Sequence, residues 1–184
     1  MWTTIVIIVA AVIVVALVAL ALRTMSRRRH LRERYGPEYE RTVKAKHSRG
    51  AAERDLKARE ERHEALEIRP LPARVRDQYA RDWNTVQERF VDDPDQAVGE
   101  ADRLVTTLMS ERGYPTESYE QQTRDLSVEH SRTLEHYRAA HEINQRAGGR
   151  ETSTEELRTA MVHYRALFDE LLRGDTSSPD GEHR

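Results

Sequence analysis

The 184-residue sequence has no cysteine and little glycine or lysine. The missing cysteine excludes disulfides, thiol nucleophiles and Cys-ligated zinc or iron–sulfur centres. The 8 glycines form no phosphate-binding loop, dinucleotide-binding motif or nucleophile elbow. Positive charge comes almost entirely from arginine, and the formal net charge is -2. The chain as a whole therefore lacks the basic excess that is typical of nucleic-acid-binding proteins, and no nucleic acid is expected as a partner.

Long apolar runs are absent except at the start of the chain. Residues 5–22 are 18 consecutive apolar residues without a charge, glycine or proline. As a helix the run is roughly 27 Å long, close to the about 30 Å hydrocarbon core of a bilayer. The sequence thus predicts a transmembrane helix over residues 1–22. A cleaved signal peptide is an alternative, because Ala19 and Ala21 are small, but the run is long for one and lacks a preceding basic region.

Arginines follow the apolar run, with Glu33 as the single acidic residue among them. The positive-inside rule therefore places the C-terminal side in the cytoplasm and the short N-terminus outside. An arginine near an anionic leaflet contributes about 1 kcal/mol of binding free energy. We expect contact with anionic lipid headgroups from Arg23, Arg27, Arg28, Arg29, Arg32 and Arg34.

Charge divides the rest of the chain into segments. Residues 23–69 carry a net charge of +6 and residues 70–173 a net charge of -6. The basic segment has few large apolar residues and no lasting heptad, so we expect an exposed, coiled-coil-like helical stalk without a core of its own. The motif RPLP at residues 69–72 disfavours helix and marks a domain boundary. The Ser/Asp/Pro-rich residues 174–184 are predicted to be a disordered tail.

Residues 70–173 show helical periodicity throughout. Val75, Tyr79, Trp83, Val86 and Phe90 recur at spacings of 4, 4, 3 and 4. Asp93–Pro94, Gly113 and the Ser153–Glu156 pair are helix capping signals, and one helix is expected across residues 126–141. No segment alternates like a strand. The fold prediction is all-α, with a C-terminal antiparallel bundle of four to five helices.

Four stretches carry a resemblance to a known group of proteins: RYGPEY at 34–39, WNTVQERFVDDP at 83–94, ERGYP at 111–115 and MVHYR at 161–165. Together they resemble a family of uncharacterised single-span bacterial membrane proteins that is common in high-GC Gram-positive bacteria. The excess of 27 Arg over 3 Lys agrees with a high-GC source. The resemblance implies the anchor-and-helical-domain architecture and no catalytic residue.

The histidines and acidic residues that could bind a metal or catalyse a reaction are better explained by structural roles. His130 and His141 share a helical face but lie about 16 Å apart along it, too far to share a metal. The only Glu-x-x-His pair, Glu60 and His63, lies in the stalk, whereas a di-metal bundle site needs two such pairs. The acidic residues around Asp93 suit a helix N-terminus. We therefore expect no enzyme activity, cofactor or metal.

Aromatic residues beside arginines favour protein binding. The predicted interface residues are Tyr35, Tyr39, Tyr114 and Tyr119. The sequence favours a membrane-anchored, non-enzymatic interaction or scaffold module with an unidentified protein partner, and it carries no signal for an oligomeric state. Two alternatives stay open: an exported or outward-facing protein that binds envelope components, and a bundle that binds a small ligand or a metal.

Overall fold

The computed structural model describes residues 2–147 and 152–174, with the backbone alone for residues 4–11. Within these ranges the protein has eight helices and no strand, which confirms the all-α prediction. Among the residues described with their side chains, no helix combines the length and the apolar character needed to cross a membrane. Of the tail predicted at residues 174–184, only Gly174 lies within the described ranges. The helices are α1 (Trp2–Tyr35), α2 (Pro37–Lys46), α3 (Arg49–Glu64), α4 (Ala73–Arg89), α5 (Pro94–Arg112), α6 (Tyr119–Glu129), α7 (Leu134–Arg146) and α8 (Thr154–Arg173).

The chain divides into two compact units, with the division between Lys57 and Ala58. This point lies inside α3, upstream of the boundary expected at residues 69–70. The N-terminal unit holds α1, α2 and the first half of α3, and the C-terminal unit holds the rest of α3 and the helices α4 to α8.

The N-terminal unit has buried side chains of its own, and the expectation of an exposed stalk without a core is wrong here. Helix α1 ends at Tyr35, and Gly36, with φ 47°, turns the chain into α2 with Pro37 at its start. Tyr35 and Leu56 are fully buried, and the Tyr35 hydroxyl donates to the Leu56 carbonyl oxygen at 3.0 Å. A large aromatic ring thus supplies burial that the count of aliphatic residues did not indicate.

The apolar stripes predicted for the C-terminal unit form its core. The α4 residues Tyr79, Trp83 and Val86 are buried, as are the corresponding faces of α5 and α8. The Trp83 ring stacks on Phe168 with centroids 4.6 Å apart and 27° between the planes, which joins α4 to α8.

Three predicted helix caps are present. The Asp93 side chain accepts a hydrogen bond from Gln96 N, and Ser153 and Glu156 form a reciprocal capping box. Gly113 ends α5 with φ 98°. A Cβ on Gly113 would lie 2.4 Å from the Glu67 carbonyl oxygen, so the connection between α3 and α4 passes too close for any other residue.

The helix expected across residues 126–141 is interrupted, so that prediction is wrong. Helix α6 ends at Glu129, and α7 begins at Leu134. His130 lies in the turn between them, which is closed by the Thr133 amide donating to the His130 carbonyl at 3.1 Å. The turn carries the His130 ring into the interior, where it is 1% exposed and contacts Glu170 of α8. This tertiary contact overrides the helical periodicity.

Candidate functional site

The arginines predicted to contact lipid all lie on the exposed surface of α1. Arg28 pairs with Glu53 at 3.1 Å, and Arg32 pairs with Glu40 at 2.6 Å. The Arg32 guanidinium lies 5.5 Å from the centroid of the Tyr39 ring. A cavity of about 180 Å³ is lined by Arg28, Arg32, Tyr39 and Arg49. The cavity brings together Arg28, Arg32 and Arg49, whose fork-shaped donors suit phosphate oxygens.

The four tyrosines predicted as an exposed interface do not form one. Tyr35, Tyr39 and Tyr114 are at most 3% exposed, so the prediction of surface aromatics is wrong for these three. Tyr39 donates to Glu53 Oε1 at 3.0 Å, and Tyr114 contacts Glu129. Tyr119 is half-buried, and its ring stacks on His141 at 3.9 Å. Each of the four tyrosines has a partner elsewhere in the fold, which the sequence spacing does not reveal.

A different surface combines aromatic, apolar and arginine side chains. It is a groove of about 250 Å³ between α4 and α8, called here the α4/α8 groove. Val162 on its wall is 64% exposed, and the indole Nε1 of the buried Trp83 has no hydrogen-bond partner within residues 2–147 and 152–174. Buried donors in folded proteins are normally paired. The groove is lined by Trp83, Gln87, Phe90, Arg158, Met161, Val162 and Arg165.

Two arginines lie at the rim of the α4/α8 groove, and both are held by neighbours. Arg158 pairs with Glu155 one turn earlier on α8. Arg165 donates to Gln87 Oε1 at 3.1 Å across the groove and lies 3.5 Å from Asp169. Both guanidinium groups remain at least half exposed. Tryptophan and arginine are both enriched in protein-binding hot spots.

A buried polar network, absent from the sequence predictions, runs through the C-terminal unit. His63 Nε2 lies 2.8 Å from Glu129 Oε1, and Glu129 Oε2 accepts from the Tyr114 hydroxyl at 3.0 Å. The same hydroxyl lies 3.1 Å from His130 Nε2, and His130 Nδ1 lies 2.7 Å from Glu170 Oε1. The network links α3, α6, the turn after α6 and α8. No local pattern indicates it, because its directly bonded members lie far apart in the sequence: Glu129 is 66 residues after His63, and Glu170 is 40 residues after His130.

Electrostatics keep both carboxylates of this network ionised. The hydrogen bond from His63 lowers the pKa of Glu129 to about 2. Burial raises the pKa of Glu170, but hydrogen bonds from His130 and Thr133 outweigh it and leave that pKa below its usual value. The Tyr114 hydroxyl carries one proton, so it donates to Glu129 or to His130 but not to both. The network joins α3, α6, the turn after α6 and α8 through hydrogen bonds, and so holds these elements together.

Asp125 lies on α6, one turn before Glu129, and is fully buried. Neither of its carboxylate oxygens has a hydrogen-bond partner among the described residues. Burial raises the pKa of Asp125, although the positive charges of Arg62, His63 and Arg124 oppose the shift. Asp125 is therefore a destabilising group in its ionised form.

A pair of histidines bridges α7 and α8. His136 Nδ1 and His163 Nδ1 are 2.8 Å apart, and their ring centroids are 4.9 Å apart. The two residues are 27 positions apart, and neither falls on the apolar stripe of its helix. Only the packing of α7 on α8 reveals the pair.

Within the described part of the chain, no group of three or more His, Asp or Glu side chains is arranged to hold a metal ion. No family model, curated protein or solved structure matches the chain.

Proposed function

We propose that this chain is a single-span membrane protein whose C-terminal unit is a non-enzymatic, cytoplasmic interaction module. The anchor is residues 5–22, which are uncharged and long enough for a bilayer core. Helix α1 continues without a break from this run to Tyr35, so the arginines after it extend from the same helix. Their excess over Glu33 favours the cytoplasmic side for everything that follows.

The arginine-lined cavity supports binding to anionic headgroups. Arg28 and Arg32 are on the part of α1 that follows the apolar run, and Arg49 lies at the start of α3. In an anchored chain this region lies next to the inner leaflet, where each arginine adds about 1 kcal/mol of attraction. The resemblance to single-span bacterial membrane proteins agrees with this arrangement.

The α4/α8 groove is the observation that carries the interaction role. It holds the exposed Val162 and the half-buried Phe90 beside two rim arginines. It also holds the indole N–H of Trp83, which has no hydrogen-bond partner among the described residues. These groups suit a segment of a partner protein that has an apolar anchor residue next to carboxylates. The anchor would pack on Phe90 and Val162, and the carboxylates would pair with Arg158 and Arg165.

Site-specific crosslinking in living cells tests this function. A photo-crosslinking amino acid replaces Val162 in the full chain, and the control carries it at the exposed Ser110 of α5. We expect a discrete heterologous adduct from position 162 and none from position 110. The adduct should disappear when Arg158→Glu and Arg165→Glu are added. Equal adducts from both positions, no adduct from 162, or an adduct of twice the chain mass would overturn the proposed partner.

A further inference from the structure

His136 and His163 meet on the outside of the C-terminal unit. His136 is exposed and His163 is partly exposed, and their Nδ1 atoms lie 2.8 Å apart. The rings are inclined by 31°. In the metal-free chain the pair shares one proton, with one Nδ1 donating and the other accepting.

We propose that His136 and His163 form a binding site for a divalent late transition metal ion, with Cu²⁺ as the best fit. Imidazole nitrogen bonds such ions at about 2.0 Å, so two ligands at a right angle lie roughly 2.9 Å apart, and two tetrahedral ligands roughly 3.3 Å. The observed separation is 2.8 Å. The pair therefore has the spacing of neighbouring ligands in the tetragonal geometry that Cu²⁺ prefers.

Metal binding needs the lone pair of both Nδ1 atoms. In the metal-free pair one ring carries its proton on Nδ1, and the Nδ1 atom of the other ring accepts it. When a metal ion binds, that proton leaves Nδ1 and the same ring takes up a proton at Nε2, so both rings ligate as neutral imidazoles and no proton is released overall.

The site is open. No third His, Asp or Glu completes a metal cluster among the side chains that the structure describes. Water would therefore fill the remaining coordination positions, and the affinity should be moderate. This inference is independent of the groove and of membrane anchoring, so it stands or falls separately from the proposed function.

Metal titration of the full, untagged chain in detergent micelles tests the site. We expect one equivalent of CuCl₂ to bind, measured by calorimetry, and the Cu²⁺ electron paramagnetic resonance spectrum to show coupling to two imidazole nitrogen atoms. His136→Asn and His163→Asn should each weaken Cu²⁺ binding by roughly tenfold or more. Removing a residue that only hydrogen-bonds to a metal ligand already costs about this much, and removing the ligand itself should cost at least as much.

His47→Asn is the matched control. His47 is exposed, and asparagine tolerates its left-handed φ of 52°, so this variant should bind Cu²⁺ like the parent chain. Circular dichroism of the metal-free variants checks that they fold. The electron paramagnetic resonance spectrum of the parent chain tests the site even if a variant fails to fold. Unchanged affinity in both site variants, a spectrum without coupling to two imidazole nitrogens, or no saturable binding would overturn the proposal.

Discussion

The hydroxyl group of Tyr114 lies 3.1 Å from Nε2 of His130 in the interior of the C-terminal unit. Tyr114 follows the glycine that ends α5, and His130 lies in the turn that ends α6. The contact therefore fixes the ends of two helices to each other. It is also the centre of the buried chain of hydrogen bonds from His63 to Glu170.

Tyr114→Phe should destabilise the protein because it removes the buried hydroxyl that contacts Glu129 and the buried His130 ring. We expect the free energy of unfolding to fall by about 1–3 kcal/mol, the cost of leaving a buried polar group unpaired. Chemical denaturation measures this change. Tyr79→Phe is the control, since Tyr79 is also buried but its hydroxyl makes no described hydrogen bond, and its change should stay within about 0.5 kcal/mol. Equal losses in the two variants would show that the network adds no stability.

Gly113→Ala should be among the most destabilising single-methyl changes in the chain. The new Cβ would meet the Glu67 carbonyl oxygen at 2.4 Å, and φ is 98°. We expect a loss of about 2 kcal/mol or more in thermal or chemical unfolding. Gly99→Ala in the same helix has only ordinary contacts, the nearest at 3.6 Å, and should instead stabilise α5 by about 0.5–1 kcal/mol. A neutral Gly113→Ala would contradict the close packing of the α3–α4 connection on α5.

Asp125→Asn should stabilise the protein at neutral pH by about 1 kcal/mol, because it removes a buried charge that has no hydrogen-bond partner in the part of the chain that the structure describes. The folded-state pKa of Asp125 is raised, so the parent chain loses stability as the pH rises from the unfolded pKa through the folded one. The gain should therefore vanish below about pH 4, where the parent carboxyl is protonated. Denaturation at pH 7 and pH 3.5 measures both limits, with the exposed Asp92→Asn as control. A gain that is the same at both values would exclude the charge as its cause.

Glu129→Gln should show the opposite dependence on pH. The bond to His63 lowers the folded-state pKa of Glu129 to about 2, so its stabilisation is complete above the unfolded pKa of 4.5 and is lost as the pH falls toward 2. We expect the variant to be less stable than the parent chain at pH 7, by about 1–3 kcal/mol. The difference should shrink steadily between pH 4.5 and pH 2 in acid-unfolding experiments. A difference that grows in acid would contradict the ionised state of Glu129.

Local features of the fold could be predicted from sequence because their causes lie within a few residues. The stripe from Val75 to Phe90 needs only the helical period, and its inner members are buried. The caps at Asp93 and Gly113 depend on side-chain reach and on the positive φ that glycine tolerates. Helical periodicity and the capping preferences of single residues are therefore enough to predict these features.

The rest depends on contacts between distant residues. The break at His130 cannot be seen in a stripe that continues through it, because its cause is Glu170 on another helix. Tyr35 follows a row of arginines, so it looks exposed, but its partner Leu56 lies 21 residues later. The histidine pair likewise needs α7 beside α8. The positions of these side chains thus depend on how the helices pack, and the neighbouring residues in the sequence do not reveal them.

Topology is the most direct test of the proposed anchored, cytoplasmic module. The chain has no cysteine, so Ser110→Cys on the exposed face of α5 is a single reporter. A membrane-impermeant maleimide is applied to intact and to permeabilised cells, and mass spectrometry of the recovered chain shows whether residues 1–22 are retained. We expect a membrane-associated chain that keeps residues 1–22 and is labelled only after permeabilisation. Labelling of intact cells, or a mature chain without residues 1–22, would contradict the proposed anchor and orientation.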